Sequence, residues 1–354
     1  MRTMKRNEFK ALLMQEAKEK RRLKYVSIEV LDKCLYKCPH CYVKDKYGAI
    51  IDEHDFYRIV DQLVEKDCTW LLLTGGEPLL HPHFLDMYRY AWEKQLKIII
   101  FSNGYLINEE VLECFSKYPP DLVELTVYGG TPDSYDDYVG IQGAFSIFDK
   151  AVDRLIETGI KTRLKSVLTP HIIKEIDVID NYATKKGIEF RYDGFVVPKI
   201  DGDINPCNYF RLEPKDVFGM DVKISGFLDA QIKRQKQFLQ KKDINELYSC
   251  DAAYNSVFID ASCKMSICTF ARHINIQLGE NVSIKEGQEY LINLIKRKKP
   301  LGKNNKCFSC DKKAFCRYCP GQFLLENGDE YTPIKWRCEY AQLVLNAINE
   351  RNRV

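Results

Sequence analysis

The chain has 354 residues, which is enough for one catalytic domain and a second, smaller one. Its 53 lysines and arginines against 50 aspartates and glutamates give a net charge of +3, which argues against a nucleic acid or an anionic membrane as partner. The sequence contains neither a signal-peptide core nor an apolar run of about 18 residues. We therefore expect a cytoplasmic protein.

The first 24 residues predict a basic amphipathic helix that leads into a first strand. From residue 25 to about 200, short β-branched runs alternate with amphipathic segments, a pattern typical of βα units around a parallel sheet. This indicates an α/β fold, a partial (β/α)6 barrel whose chemistry lies at the C-terminal strand ends. We predict strands at 25–30, 70–73, 97–101, 122–127, 162–168 and 188–197, and helices at 53–66, 82–94, 109–117, 145–158 and 172–186.

Beyond the barrel, residues 201–248 show weaker periodicity and predict a linker or insertion. Residues 249–345 contain eight of the 14 cysteines and predict a small iron-sulfur domain, and 346–354 are expected to be a tail. Because cytoplasmic thiols stay reduced, metal binding explains so many cysteines better than disulfides do.

Three cysteines directly follow the first predicted strand, Cys34, Cys38 and Cys41, in the spacing CxxxCxxC. Thiolates are the usual ligands of iron-sulfur cubanes, which normally take four of them. Three cysteines would leave one iron open to an external ligand. The alternative is a zinc site with His40 as fourth ligand, but structural zinc favours CxxC pairs.

Together with the following Tyr42, these cysteines resemble the signature of the radical S-adenosylmethionine (SAM) superfamily. The resemblance implies a [4Fe-4S] cluster bound by the three cysteines, with SAM on the open iron. One electron then cleaves SAM into methionine and a 5'-deoxyadenosyl radical, which abstracts hydrogen from the substrate.

A TGGEP motif follows the second predicted strand, where two glycines allow backbone to approach a ligand closely. Read without the resemblance, it is a tight strand-to-helix turn. The resemblance implies that it binds the methionine amino group of SAM, and that short polar side chains after later strands meet the ribose. The predicted cofactor-binding residues are Tyr42 near adenine, Gly75, Gly76 and Glu77 in the turn, Ser102, Asn103 and Thr126 for the ribose, and Lys165, preferred over Arg163, for a carboxylate.

The C-terminal cysteines resemble the SPASM extension of peptide-maturing radical enzymes, which implies two auxiliary [4Fe-4S] clusters; two zinc sites are the alternative. At the position of the usual glycine stands Cys263, so either it is the fourth proximal ligand or that cluster has an open iron. The resemblance assigns Cys250, Cys268 and Cys319 to the proximal cluster and Cys307, Cys310, Cys316 and Cys338 to the distal one.

The function expected from this resemblance is radical modification of a ribosomally made peptide, by crosslinking or epimerisation. Expected partners are the peptide and an electron donor such as flavodoxin or ferredoxin, with the leader recognised either by a separate protein or by the barrel itself. The alternatives are oxidation of a protein side chain, as in sulfatase maturation, oxidation of a sugar, and a non-catalytic iron-sulfur scaffold. No residue is assigned as catalytic acid or base.

Overall fold

The computed structural model of the chain describes residues 16, 19–43, 48–240 and 245–353. The predicted N-terminal helix therefore lies mostly outside the described residues. Within the described ranges, no helix is both long enough and apolar enough to span a lipid bilayer.

Six parallel strands stand side by side in chain order, which confirms the predicted α/β fold with a parallel sheet. The last of them ends at Asp193, four residues earlier than predicted. The next residue, Gly194, packs against Val217, whose Cγ1 lies 2.3 Å from where a β-carbon would stand. The strands are β1 (Tyr25–Glu29), β2 (Trp70–Thr74), β3 (Lys97–Ser102), β4 (Leu122–Thr126), β5 (Thr162–Val167) and β6 (Glu189–Asp193).

Helices follow these strands and cover the outer face of the sheet, where alternate strand residues such as Ile98 and Ile100 are buried. One helix was not predicted, Pro132–Val139, which begins with a capping box between Thr131 and Ser134. The helices of this part are α1 (Glu53–Glu65), α2 (Phe84–Glu93), α3 (Glu109–Lys117), α4 (Pro132–Val139), α5 (Ala144–Glu157) and α6 (Ile172–Lys186).

The segment predicted as a linker contains three helices that the charged sequence did not reveal. They are α7 (Asn205–Phe210), α8 (Pro214–Asp221) and α9 (Phe227–Leu239). Aromatic side chains of α8 and α9, among them Phe218 and Phe227, pack on a small core that includes Ala341 and Val344 near the C-terminus. This contact with the C-terminal region explains why the segment is folded.

The cysteine-rich region extends the sheet of the barrel. Its first strand, β7 (Ser256–Ile259), pairs in parallel with β1, and β8 (Lys264–Ser266) and β9 (Asn275–Gln277) follow in antiparallel order. The nine strands therefore run β6-β5-β4-β3-β2-β1-β7-β8-β9. Three helices complete the region, α10 (Ile284–Lys296), α11 (Pro320–Asn327) and α12 (Lys335–Arg351), and α12 continues into the predicted tail.

Candidate active site and cysteine centres

The first cysteine centre, which we define as Cys34, Cys38 and Cys41, lies in the loop after β1. All three cysteines are half-buried, and the amide of Cys41 donates to the carbonyl of Cys38 at 3.1 Å. Since β1 lies between β2 and β7, the loop leaves the sheet at a central strand. The turns after β2 and β3 are therefore its neighbours.

The GGE turn after β2 is hydrogen-bonded to the cysteine loop. The amide of Gly76 donates to the carbonyl of Leu31 at 2.9 Å, and that of Glu77 donates to the carbonyl of Lys33 at 2.8 Å. A β-carbon on Gly75 would stand 2.4 Å from the Leu31 oxygen, and one on Gly76 would stand 2.1 Å from the Lys33 oxygen. The two glycines thus let the turn press against the backbone that carries Cys34. Their approach to a ligand stays a prediction.

The carboxylate of Glu77 is fully buried between this turn and the end of β3. One oxygen accepts from Ser102 Oγ at 2.8 Å and from the Leu79 amide at 3.3 Å, and the other accepts from the Asn103 amide at 2.7 Å. Burial raises the pKa of Glu77 to about 7, although these hydrogen bonds act in the opposite direction. Asn103 Nδ2 in turn lies 3.6 Å from Cys34 Sγ. The structure therefore brings together the predicted residues of three consecutive strand ends.

Thr126 and Lys165 lie opposite each other on β4 and β5. Lys165 Nζ lies 3.3 Å from Glu124 Oε1, and it stands over the ring of Phe101 at 3.1 Å from the centroid. Burial lowers the pKa of Lys165 to about 7, while Glu124 raises it. In this structure the partner of Lys165 is thus a buried carboxylate of the barrel wall, and its contact with a cofactor carboxylate stays a prediction.

Tyr42 faces the C-terminal region. Its ring centroid lies 6.1 Å from that of Phe270, and burial together with Glu29 raises its pKa. Glu29 forms a bidentate ion pair with Arg272, with nitrogen to oxygen distances of 2.8 and 3.1 Å. Tyr42 therefore links the first cysteine centre to the loop after Cys268.

A group of buried rings beside the first centre was not predicted as part of the site. The aromatic cluster, defined as Tyr36, Tyr105, Tyr128, Tyr135 and Tyr138, packs edge to face or stacked, with neighbouring centroids 5.7 to 6.3 Å apart. Burial raises the pKa of Tyr128, and the neighbouring Cys38 thiolate raises it further. The tyrosine-rich stretch from 128 to 138 was the available signal, because the helix that it forms carries two of these rings.

His40 belongs to the same surroundings. Its Nδ1 lies 2.7 Å from the hydroxyl oxygen of Tyr138, and burial lowers its pKa to about 4. The imidazole is therefore neutral at physiological pH and engaged by a tyrosine. In this structure His40 therefore contacts Tyr138, an interaction that the zinc interpretation of the sequence did not include.

The C-terminal cysteines form two groups. Burial raises the pKa of Cys268 to about 12, and the next causes are Cys319 and Cys250, so these three are neighbours. Burial likewise raises the pKa of Cys316 to about 12; Arg337 lowers it, and Cys307, Cys338 and Cys310 raise it further. We name the first group, Cys250, Cys268 and Cys319, the proximal centre, and the second group, Cys307, Cys310, Cys316 and Cys338, the distal centre.

Cys263 lies apart from the proximal centre. It is the last residue of the β7–β8 turn, with its amide donating to the Asp260 carbonyl at 2.9 Å and a left-handed φ of 58°. Glycine favours such a position, as in a hairpin closed by a bulge. Burial raises the pKa of Cys263 to about 12, and the charged groups that follow are Asp55 and Arg58 of α1. The structure therefore places this thiol against α1.

The surroundings of the distal centre fit an anionic cluster. Lys313 is only 4% exposed, and after burial the groups that act on its pKa are Cys307, Cys316 and Cys310. Four thiolates around a [4Fe-4S] core carry net negative charge, which compensates a buried ammonium. Among the described residues, no three His, Cys, Asp or Glu side chains converge on a point that could hold a single ion. Cluster thiolates bind separate irons, so they need no such convergence.

A cavity of about 230 Å³ is lined by segments that adjoin the first and proximal centres. One wall, Ile200 to Gly202, is tied to Tyr42 by the Ile200 amide, which donates to the Tyr42 carbonyl at 2.9 Å. A second wall is the loop after Cys268, which includes Phe270 and Arg272. The third is α11, whose N-cap is Cys319. Each wall thus adjoins a segment that contains a cysteine of one of the two centres.

Comparison with known proteins shows what this chain is similar to. A profile described as the Radical SAM superfamily matches residues 28–180. The chain is 22% identical over 194 residues to an AdoMet-dependent heme synthase of Methanosarcina barkeri. The aligned region covers 53% of this chain and 56% of that relative. It is 26% identical over 143 residues to the antilisterial bacteriocin subtilosin biosynthesis protein AlbA of Bacillus subtilis, covering 40% of this chain and 32% of that protein. The chain thus spans about a third to just over half of these relatives.

Solved structures match over more of the chain. SuiB of Streptococcus suis bound to its precursor peptide SuiA matches with a TM-score of 0.70 at 15% identity, over 94% of this chain and 80% of that one. The protein anSMEcpe with bound AdoMet and a Cp18Cys peptide matches with a TM-score of 0.62 at 18% identity, over 92% of this chain and 99% of that one. The chain therefore carries a radical SAM domain at residues 28–180, within a fold that it shares with SuiB over most of its length.

Proposed function

We propose that this protein is a radical SAM enzyme that acts on a peptide. The observation that carries the proposal is that two backbone hydrogen bonds join the GGE turn to the segment just before Cys34, while the side chain of Asn103 contacts Cys34 itself. These parts come from three consecutive strand ends of one parallel sheet, where barrels of this kind place their chemistry. A radical SAM domain over residues 28–180 supports it.

The first cysteine centre would hold a [4Fe-4S] cluster whose open iron takes SAM. When bound, the cluster supplies one electron that cleaves SAM into methionine and a 5'-deoxyadenosyl radical. The residues of the chain contribute position and exclusion of water. The aromatic cluster surrounds the centre with apolar surface, and Asn103 holds Cys34 while its own amide holds Glu77.

Glu77 would meet the methionine ammonium of SAM. Burial brings the pKa of its carboxyl group close to neutral pH, and a cation beside it would favour the ionised form. Proton loss from Glu77 would then accompany binding of SAM. Ser102, which donates to Glu77, and Thr126 at the end of β4 are the proposed ribose contacts.

Three features support a peptide as the substrate class. The cavity is walled by apolar side chains such as Phe270 and Leu325, with Arg272 and His273 beside them. Its volume of about 230 Å³ suits one side chain of a longer chain rather than a whole macrocycle. Two of the matching structures that cover most of this chain, those of SuiB and anSMEcpe, contain a bound peptide. Crosslinking or epimerisation of a ribosomally made peptide, with a separate leader-binding protein, is the proposed reaction class.

The proximal and distal centres would hold two auxiliary [4Fe-4S] clusters. The proximal centre brings together three cysteines, while Cys263 lies against α1, which favours an open iron over a fourth cysteine ligand. An external one-electron donor of the flavodoxin or ferredoxin type is the proposed source of reducing equivalents, because SAM cleavage consumes one electron.

The test is anaerobic turnover of the reconstituted protein with SAM and dithionite, with 5'-deoxyadenosine measured by mass spectrometry. We expect product from the unaltered protein and background levels from Cys38→Ala. The matched control is Cys114→Ala on α3, a cysteine outside the three centres, which should keep full activity. Absence of product from the unaltered protein at full iron content would overturn the proposal.

The substrate class is tested separately by supplying short peptides encoded near the gene. A mass change in a peptide that depends on SAM supports a peptide substrate. If only small molecules such as porphyrins or sugars are altered, the peptide part fails and the radical chemistry stands.

A further inference from the structure

One stretch of the C-terminal region is strongly basic. Between residues 296 and 317 the chain has nine lysines and arginines and a single acidic residue, Asp311. The net charge of the entire chain is only +3, so positive charge is concentrated here. Six of these cations are exposed, and we call the five that precede Cys307 the basic surface: Lys296, Arg297, Lys299, Lys303 and Lys306.

The basic surface has little compensation from nearby carboxylates. Lys298, within the same stretch, is paired with Glu330 at 2.6 Å. Glu339, the residue after Cys338, is also paired: its Oε1 lies 3.5 Å from Lys335 Nζ. Among the described residues, none of the five members of the basic surface forms an ion pair. Their charge therefore faces solvent, where an anionic partner can approach it.

The loop that carries this surface is held in place beside the distal centre. The Tyr331 hydroxyl donates to the Lys299 carbonyl at 3.1 Å, and Asn305 Nδ2 donates to the Tyr331 carbonyl at 3.2 Å. The side chain of Asn305 also accepts from the amide of Cys307 at 2.8 Å. Lys306 is one of the charges that act on Cys338. The basic surface is thus fixed to the polypeptide that binds the distal centre.

The distal centre itself comes close to solvent on this side. Cys310 and Cys338 are half-buried, whereas Cys307 is only 6% exposed. Electron transfer falls steeply with distance, so a carrier docked beside these half-buried thiols would be close enough to reduce the distal centre. None of the five cations lines the cavity, so the basic surface is separate from the proposed substrate site.

We propose that the basic surface docks an acidic one-electron carrier protein and delivers its electron to the distal centre. The inference rests on the proposed function. The reduced carrier loses one electron, and the distal centre gains it; no bond is made or broken. Charge complementarity would accelerate the encounter and make it sensitive to salt.

The test uses the reconstituted full chain and a purified acidic bacterial flavodoxin. The variant Lys299→Glu/Lys303→Glu reverses two charges without touching a residue next to a cysteine. The matched control is Lys161→Glu/Lys174→Glu, two exposed lysines on the barrel. Association rate and affinity are measured by surface plasmon resonance at low and high salt, and cluster reduction by stopped-flow absorbance.

We expect the variant to slow association about tenfold or more at low salt and to weaken its salt dependence. The control should stay within twofold of the unaltered protein, and dithionite-driven SAM cleavage should be unchanged in both. An equal loss in the control, or none in the variant, overturns the proposal while dithionite-driven turnover leaves the proposed function intact. An Asp/Glu-rich peptide serves as a second probe in the same binding measurement. If the variant loses affinity for this peptide but not for flavodoxin, the surface binds peptide and the carrier proposal fails.

Discussion

The first and distal cysteine centres use the same ligand chemistry in opposite surroundings. The first is packed against tyrosine rings, and Asn103 connects its Cys34 to the buried carboxyl of Glu77. In the distal centre, Cys307, Cys310 and Cys316 lie near the ammonium of Lys313. Arg337 lowers the pKa of Cys316, and Lys306 lowers that of Cys338. Since reduction adds negative charge, cations favour the reduced state, and nearby carboxylates disfavour it. The comparison therefore predicts that the cations beside the distal centre raise the potential of a cluster bound there.

The largest expected effect comes from separating the GGE turn from the first centre. Gly76→Ala would place a β-carbon 2.1 Å from the Lys33 carbonyl oxygen, which is backbone and cannot rotate away. We expect a loss of about 3 kcal/mol or more in the free energy of unfolding, together with loss of iron from the first centre only. Urea denaturation and Mössbauer spectroscopy measure the two effects.

The control for this change is Gly219→Ala, a glycine of α8 with nothing within 4 Å of its added β-carbon. It should be neutral or slightly stabilising, since alanine favours a helix. Equal iron content in Gly76→Ala and the unaltered protein would contradict the proposed dependence of the first centre on the turn.

The second effect is the pH dependence contributed by Glu77 in the metal-free protein. Its folded pKa of about 7 lies above the ordinary value of 4.5, so the folded form binds the proton more tightly. Its contribution is fully present below about pH 4.5 and is lost as the pH rises through 7, by about 3 kcal/mol in total. Glu77→Gln should flatten this part of the stability profile, measured by urea denaturation from pH 5 to 8.

The matched control for this measurement is Glu93→Gln, at the exposed end of α2. It should leave the slope as it is in the unaltered protein. A profile in which stability rises between pH 5 and 7 equally in all three proteins would refute the assigned role of Glu77.

A smaller effect tests the charge difference between the two centres directly. Lys313→Met removes the buried ammonium and keeps the side-chain length, so the distal centre should be harder to reduce. We expect its midpoint potential to fall by about 60 mV, a tenfold change for one electron, with the first centre unchanged. Potentiometric titration followed by electron paramagnetic resonance measures both.

Lys117→Met, on the exposed face of α3, is the control for nonspecific loss of charge. Equal shifts at both centres, or a rise in the distal potential, would show that Lys313 does not set the difference.

The smallest expected effect concerns the turn residue Cys263. Cys263→Gly relieves a left-handed backbone but removes a buried side chain, so stability should change by less than about 1 kcal/mol. The iron content of the protein should be unchanged. A loss of iron from the proximal centre would show that Cys263 is its fourth ligand.

The sequence alone supplied the parallel barrel strands, because their β-branched runs are continuous and separated by amphipathic helices. It did not predict β7 to β9, which have three or four residues each and depend on pairing with β1 and with each other. Nor did it predict the helices between 201 and 248, of which two pack Phe218 and Phe227 against the C-terminal region. Short elements take their stability from partners distant in the chain, and those partners are not visible in local periodicity.

The candidate site divides in the same way. Cysteine spacing and the GGE motif are local, so the sequence by itself determined that the chain carries a radical SAM domain and a second cysteine-rich region. Only the tertiary structure decided that Gly76 meets the cysteine loop, that Lys165 pairs with Glu124, and that Cys263 turns toward α1. Residue types and spacings limit which ligands a segment can offer, but burial and charge at each group depend on segments that only folding brings together.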